Sequence, residues 1–220
     1  MEERLFAIGD IHGCIDELRL LVESTARIRP GDKVVFLGDY IDRGEHSREV
    51  IDYITGMRKS GMDVTTLRGN HEEMLLDAYE HENRWYNWFL NGGAFTLESF
   101  GISIVKDLPH DYLDFFYKLG YYYIYENFVF VHAGFNDDIE DPFEDTSDMI
   151  WTRREIYKNP ALNDYTIIHG HTPVTLDACT AMIKEHSKVL NIDTGCVYSG
   201  LPGYGYLSAV ELRSMSLFSV

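Results

Sequence analysis

Leu5-Phe6-Ala7-Ile8-Gly9-Asp10-Ile11-His12 is the stretch on which the fold turns. Four apolar residues followed abruptly by Gly and a carboxylate are too short for a core helix and read as a strand buried on both faces. Working outward, the pattern recurs twice. Val34-Val35-Phe36-Leu37 runs into Gly38-Asp39, and Val64-Thr65-Thr66-Leu67 runs into Arg68-Gly69-Asn70-His71. Between these strands lie helical spacings. Leu18, Leu21 and Val22 share one face of 16–25, and Val50, Ile51 and Ile54 share another behind Ser47, predicted as its N-cap. Met74, Leu75 and Ala78 follow the third strand in the same way. This β-α-β-α-β order predicts an α/β fold with parallel strands.

The second half changes character. Phe128 to Val131, Thr166 to Ile168, Val189 to Ile192 and Leu207 to Leu212 read as strands joined by irregular segments. They predict a second, more mixed sheet, so that two mixed sheets form a central sandwich flanked by helices. Residues 81–125, rich in Trp, Tyr and Phe, read as a mainly helical cap over the site. No repeat or low-complexity linker divides the chain, so residues 1–220 are expected to form one domain.

Composition narrows the function. Hydrophobic residues make up 45% of the chain, enough for a buried core. The 36 Asp and Glu against 19 Lys and Arg give a formal charge of −17. Such a surface repels a polyanion, so nucleic acid is not an expected partner. No apolar run reaches the length of a membrane span, and no membrane partner is expected. Met1-Glu2-Glu3-Arg4 lacks the basic-then-apolar pattern of a secretory signal, and Cys14, Cys179 and Cys196 form no disulfide framework. Both point to a cytoplasmic protein with reduced thiols.

The chemistry lies at the strand ends. Asp10, Asp39 and Asn70 each follow a glycine at the carboxyl end of a strand, where sites form in parallel sheets. His12 is two residues beyond Asp10. Two later strands end in His132-Ala133-Gly134 and His169-Gly170-His171-Thr172. A lone strand-end Asp or His is usually structural; the conjunction of Asp10, His12, Asp39, Asn70, His132 and His171 is not so explained. Six oxygen and nitrogen donors without thiolate suit two divalent ions that share a carboxylate, and Mn²⁺, Fe or Zn²⁺ would each fit, with Mn²⁺ the expected cofactor.

Gly9-Asp10-Ile11-His12-Gly13, Gly38-Asp39-Tyr40-Ile41-Asp42-Arg43-Gly44 and Arg68-Gly69-Asn70-His71-Glu72 resemble the signatures of the phosphoprotein phosphatase family of calcineurin-like metallophosphoesterases. Trp88 to Gly93, Ile150-Trp151-Thr152-Arg153 and Ile192-Asp193-Thr194-Gly195 extend the likeness to the bacterial and phage lambda type, over about residues 4–210. The resemblance implies that Asp10 and His12 hold one metal, that Asn70, His132 and His171 hold the other, and that Asp39 bridges. It implies His71 as general acid oriented by Asp42, Arg43 and Arg153 as phosphate clamps, and direct attack by a hydroxide held between the ions. Arg43, Arg153, Asn70 and His71 would contact the substrate.

A serine/threonine or dual-specificity protein phosphatase is the first expectation, acting on a phosphorylated protein or a small phosphoester. The alternative is a symmetrical diadenosine tetraphosphate hydrolase. Asp42 and Glu72 stand where that sister group typically has other residues, which favours the phosphatase. A catalytically dead binding module would lack a ligand or His71, and neither is missing. His169 is expected to be structural, Cys14 a small buried residue, and His46, His81, His110 and His186 surface groups.

Overall fold

The computed structural model describes residues 3–220; Met1 and Glu2 of the leader reading lie outside them. The three Gly-terminated runs form strands β1 (Leu5–Ile8), β2 (Lys33–Phe36) and β3 (Asp63–Thr66). Between and after them come α1 (Ile15–Arg19, continued by a wider turn over Leu20–Thr25), α2 (Ser47–Lys59) and α3 (Asn70–Glu80). β1 pairs parallel with β2, and β2 with β3. The alternation expected of a strand buried on both faces is plain in β1. Phe6 and Ile8 pack with the helices, through Leu18, Val50 and Leu75, whereas Leu5 and Ala7 face the second sheet.

The aromatic segment holds α4 (Trp85–Trp88), α5 (Ala94–Phe100) and α6 (His110–Tyr117), and then leaves the helical state. Residues Tyr122–Tyr125 form strand β4, contrary to the helical reading of that end of the segment. The β-propensity of Tyr122-Tyr123-Ile124-Tyr125 wins there because β5 (Phe128–Val131) lies alongside to pair with it. Trp88, Leu97, Phe100 and Phe116 of this segment lie in the helix-side core.

α7 (Thr146–Trp151), β6 (Thr166–His169), α8 (Leu176–Lys184), β7 (Val189–Asn191), β8 (Ser208–Glu211) and β9 (Ser216–Ser219) complete the chain. The second sheet has the order β4-β5-β6-β7, and its Phe130, Ile168 and Leu190 meet Leu5, Ala7 and Val35 of the first. The two mixed sheets flanked by helices thus match the expected architecture. The segment 207–212, expected in the second sheet, instead joins the first. β8 pairs antiparallel with β1, Ala7 opposite Val210, giving the order β3-β2-β1-β8-β9. β1 needs a partner on the edge that β2 leaves open, and a chain segment two hundred residues away supplies it.

Ser47 does not cap α2. His46 occupies the N-cap position, and the Ser47 hydroxyl turns inward to Asp42 and Thr96.

Candidate active site

Because β1, β2 and β3 are parallel, their carboxyl ends open on one edge, and β5 and β6 of the second sheet end at the same place. Asp10, Asp39 and Asn70 therefore meet His132 and His171, and the first four of these are buried. Tight turns deliver them. His12, Asp39, Asp42, Arg43 and His171 all have φ between 48° and 72°, five of the nine non-glycine residues so strained among those described. Such concentration of left-handed backbone is typical of functional sites. A Cβ on Gly69 would collide with Asp39 Oδ1, and one on Gly170 with Asp10 Oδ1, so glycine is required beside each carboxylate.

Asp39 stands at the centre. Its Oδ2 lies 3.4 Å from His12 Nε2, and its Oδ1 lies 3.6 Å from His132 Nε2. On the His132 side, Asn70 Oδ1 is 3.0 Å from His132 Nε2 and 2.9 Å from His171 Nδ1. One donor atom each from Asp39, His132 and His171 falls within 4.8 Å of the others, and so it does for His12, Asp39 and His71. Two donor groups thus share one carboxylate.

The chemistry of these groups fits cations. His12 Nδ1 donates to the Ile41 carbonyl (2.8 Å) and His132 Nδ1 to the Leu37 carbonyl (3.1 Å). Each neutral ring therefore presents the lone pair of Nε2 to the cluster, the usual arrangement around a metal-binding imidazole. Burial lowers the pKa of His12 and of His171 to about 3 and lowers that of His132, so all three stay neutral near pH 7. The lone pair of His132 Nε2 then faces the Asn70 carbonyl oxygen, a repulsion that a cation between them relieves. Asp10 Oδ1 and His171 Nε2 are buried without a hydrogen-bond partner. Burial, with Asp193 and Asp39 nearby, pushes the Asp10 carboxyl well above its ordinary range. For Asp39, burial works the same way, but as the pH falls and the surrounding histidines, His132 and His71 foremost, take up protons, their charge outweighs burial and holds the carboxyl low.

His71, the first buried side chain after Asn70 on α3, is tied to Asp42 by its Nδ1 at 2.7 Å. Asp42 is completely buried and accepts from Thr96 Oγ1 (2.6 Å) and from Trp88 Nε1 (3.0 Å). The aromatic segment thus braces the His71–Asp42 pair from behind. Arg43 donates from Nη1 to His12 Nε2 at 3.0 Å. Arg153 is exposed on the His171 side, where its charge opposes protonation of that ring.

Three contributors escaped the reading of the sequence. Trp88 and Thr96 fix Asp42. Glu72, read only as a marker of subgroup, accepts the N–H groups of Asp39 and Gly69 on Oε2 (2.9 Å each) and of Tyr40 on Oε1 (2.8 Å). It staples the ends of β2 and β3. Only the run Gly69-Asn70-His71-Glu72 hinted at this. His169 is buried and off the cluster, with Nδ1 at 3.2 Å from the Gly170 carbonyl. His46, His81, His110 and His186 are exposed, as expected. Cys14 is only half-buried, against the expectation, because its thiol sits at the edge of a small group with Cys196 and Glu17.

A buried carboxylate shared by two histidine-bearing donor groups, one of which includes the Asp42-paired His71, with Arg43 and Arg153 nearby, is the arrangement of a two-metal phosphoester-cleaving site. The chain belongs to the calcineurin-like phosphoesterase family, whose model matches residues 3–200. It is 29% identical over 227 residues to the asymmetrical bis(5'-nucleosyl)-tetraphosphatase PrpE of Bacillus subtilis, covering 90% of this chain and 89% of that one. A symmetrical bis(5'-nucleosyl)-tetraphosphatase of Azotobacter vinelandii is 40% identical over 79 residues, 36% of this chain and 27% of the other. Among solved structures, a protein serine/threonine phosphatase from Saccharomyces cerevisiae shares the fold. Its TM-score is 0.63 at 16% identity, covering 99% of this chain and 79% of that one. Among the described residues no helix is long and apolar enough to cross a membrane.

Proposed function

We propose that the protein hydrolyses dinucleoside tetraphosphates at a dinuclear metal site. The observation that carries the choice of substrate is the similarity to the asymmetrical tetraphosphatase along nearly the whole of both chains. The expectation that ranked a protein phosphatase first rested on Asp42 and Glu72. In the fold these residues orient His71 and staple two strand ends, tasks that any phosphoester substrate needs.

In this reading Asp10 and His12 would hold one ion, Asn70, His132 and His171 the other, and Asp39 would reach both. Two bound divalent ions supply Lewis acidity and a nucleophile at neutral pH. The protein's own residues do the rest. Arg43 and Arg153 grip phosphate oxygens with planar, paired N–H donors. His71 delivers a proton from Nε2 to the leaving oxygen, while Asp42 holds its Nδ1–H and so its ring plane. Asn70 adds a neutral oxygen donor, which limits negative charge facing the phosphate.

The test is product analysis of diadenosine tetraphosphate incubated with the enzyme and Mn²⁺. ATP and AMP in equal amounts are expected, the products of asymmetrical cleavage, which is the mode in the relative's name. ADP as sole product would point to symmetrical cleavage. Intact tetraphosphate beside rapid dephosphorylation of phosphoserine or phosphothreonine peptides would return the protein-phosphatase reading.

A further inference from the structure

Arg43 has a second face. The segment Leu90-Asn91-Gly92-Gly93-Ala94-Phe95 turns against it, with Gly92 at φ 111° and its carbonyl accepting the Arg43 N–H (3.4 Å). A side chain at Gly92 would strike the Arg43 backbone, so the turn can press close only with glycine there. The turn leaves two large apolar side chains in solvent: Leu90 is 64% exposed and Phe95 42%. Tyr198 borders the same space, its ring centroid 6.0 Å from the Arg43 guanidinium carbon. Together these residues line a groove of about 360 Å³, within the usual range for small-molecule sites. Asn91 lines it as well; its amide nitrogen donates to the Asn87 carbonyl (2.8 Å), which orients the amide oxygen as the free acceptor.

We infer that this groove is a nucleobase site, in which the adenine of a nucleotide stacks between Phe95 and Tyr198 while Arg43 holds the adjoining phosphates. The inference rests on the proposed substrate class and extends it to particular residues. Aromatic faces beside a guanidinium suit a flat base joined to a polyphosphate. The Asn91 oxygen suits a base that offers an exocyclic amine, as adenine does and hypoxanthine does not. Arg43 belongs to both the groove and the metal-proximal cluster, so base and phosphate need no long linker.

The experiment reads competitive inhibition of p-nitrophenyl phosphate hydrolysis by methylene-bridged ADP, its inosine counterpart and methylenediphosphonate, none of which can be cleaved. The wild-type enzyme is expected to bind the ADP analogue at least about tenfold more tightly than the diphosphonate, the advantage supplied by base stacking. Phe95→Ala and Tyr198→Ala should each cut that advantage about tenfold and leave the diphosphonate constant and the turnover of p-nitrophenyl phosphate as they were. Asn91→Ala should erase the preference for the adenine over the inosine analogue. An ADP analogue no better than the diphosphonate, or an advantage that survives both aromatic variants, overturns the groove. Failure of the enzyme to cleave diadenosine tetraphosphate, with the ADP advantage intact and lost in the variants, would remove the proposed substrate and leave the nucleobase site standing.

Discussion

Asp42→Asn tests the proton-delivery arrangement most directly. Burial disfavours charge on His71, but Asp39 and Asp42 outweigh it and raise the pKa of the ring above its ordinary value. A raised value keeps the acid form available below that pKa and loses it above, so turnover with a poor leaving group should fall on the alkaline side. Asp42 touches His71 at 2.7 Å, Thr96 at 2.6 Å and Trp88 at 3.0 Å, all inside the core. An amide of the same shape removes the charge and turns an NH₂ group toward donors on at least one side. A hydrogen bond to a charged partner contributes about 1.5–3 kcal/mol. With about 1.4 kcal/mol per pKa unit, its loss should draw the alkaline limb down by about one to two units. The mispaired amide adds a stability cost of about 1–3 kcal/mol, or a Tm lower by several degrees for a chain of this size. The assay is kcat against pH for phenyl phosphate and for p-nitrophenyl phosphate, whose leaving oxygen is much less basic. Phenyl phosphate should lose about 10- to 100-fold near neutral pH, and p-nitrophenyl phosphate far less. Equal losses on both substrates with an unmoved alkaline limb would refute the role given to Asp42 and, through it, to His71.

Other perturbations separate the parts of the site. His71→Asn should lower turnover by at least about a hundredfold while elemental analysis still finds close to two ions per chain; a large loss of metal would place His71 among the ligands instead. Arg153→Ala should raise the inhibition constant for inorganic phosphate about tenfold or more, since one charge-assisted contact is lost, and an unchanged constant would deny it the clamp. Glu72→Gln must point an NH₂ group at one of three backbone N–H donors, so Tm should fall by several degrees and metal retention should weaken; a variant as stable as wild type would show that the staple contributes nothing. Chelation should lower Tm reversibly, because Asp10, Asp39 and their buried neighbours then face one another without countercharge.

The sequence by itself determined β1, β2 and β3 and the donor residues that follow them. An apolar run, a glycine and a donor residue are neighbours in the chain, and the left-handed turns at His12, Asp39 and His171 are local consequences of that order. The parallel arrangement followed from the spacing, and with it the gathering of six donors on one edge. What only the tertiary structure decided is pairing across long stretches of chain. The partner of β1 across from β2 is β8, because a central strand must satisfy both edges, and nothing within 207–212 says which sheet has the vacancy. Trp88 reaches Asp42 across 46 residues and Glu72 reaches Asp39 across 33. Such contacts depend on how helices settle onto the sheet, since a hydrogen-bond donor in an aromatic segment carries no address for its acceptor. The groove beside Arg43 exists for the same reason: Phe95 and Tyr198 are about a hundred residues apart in sequence, and folding alone brings both to its lining.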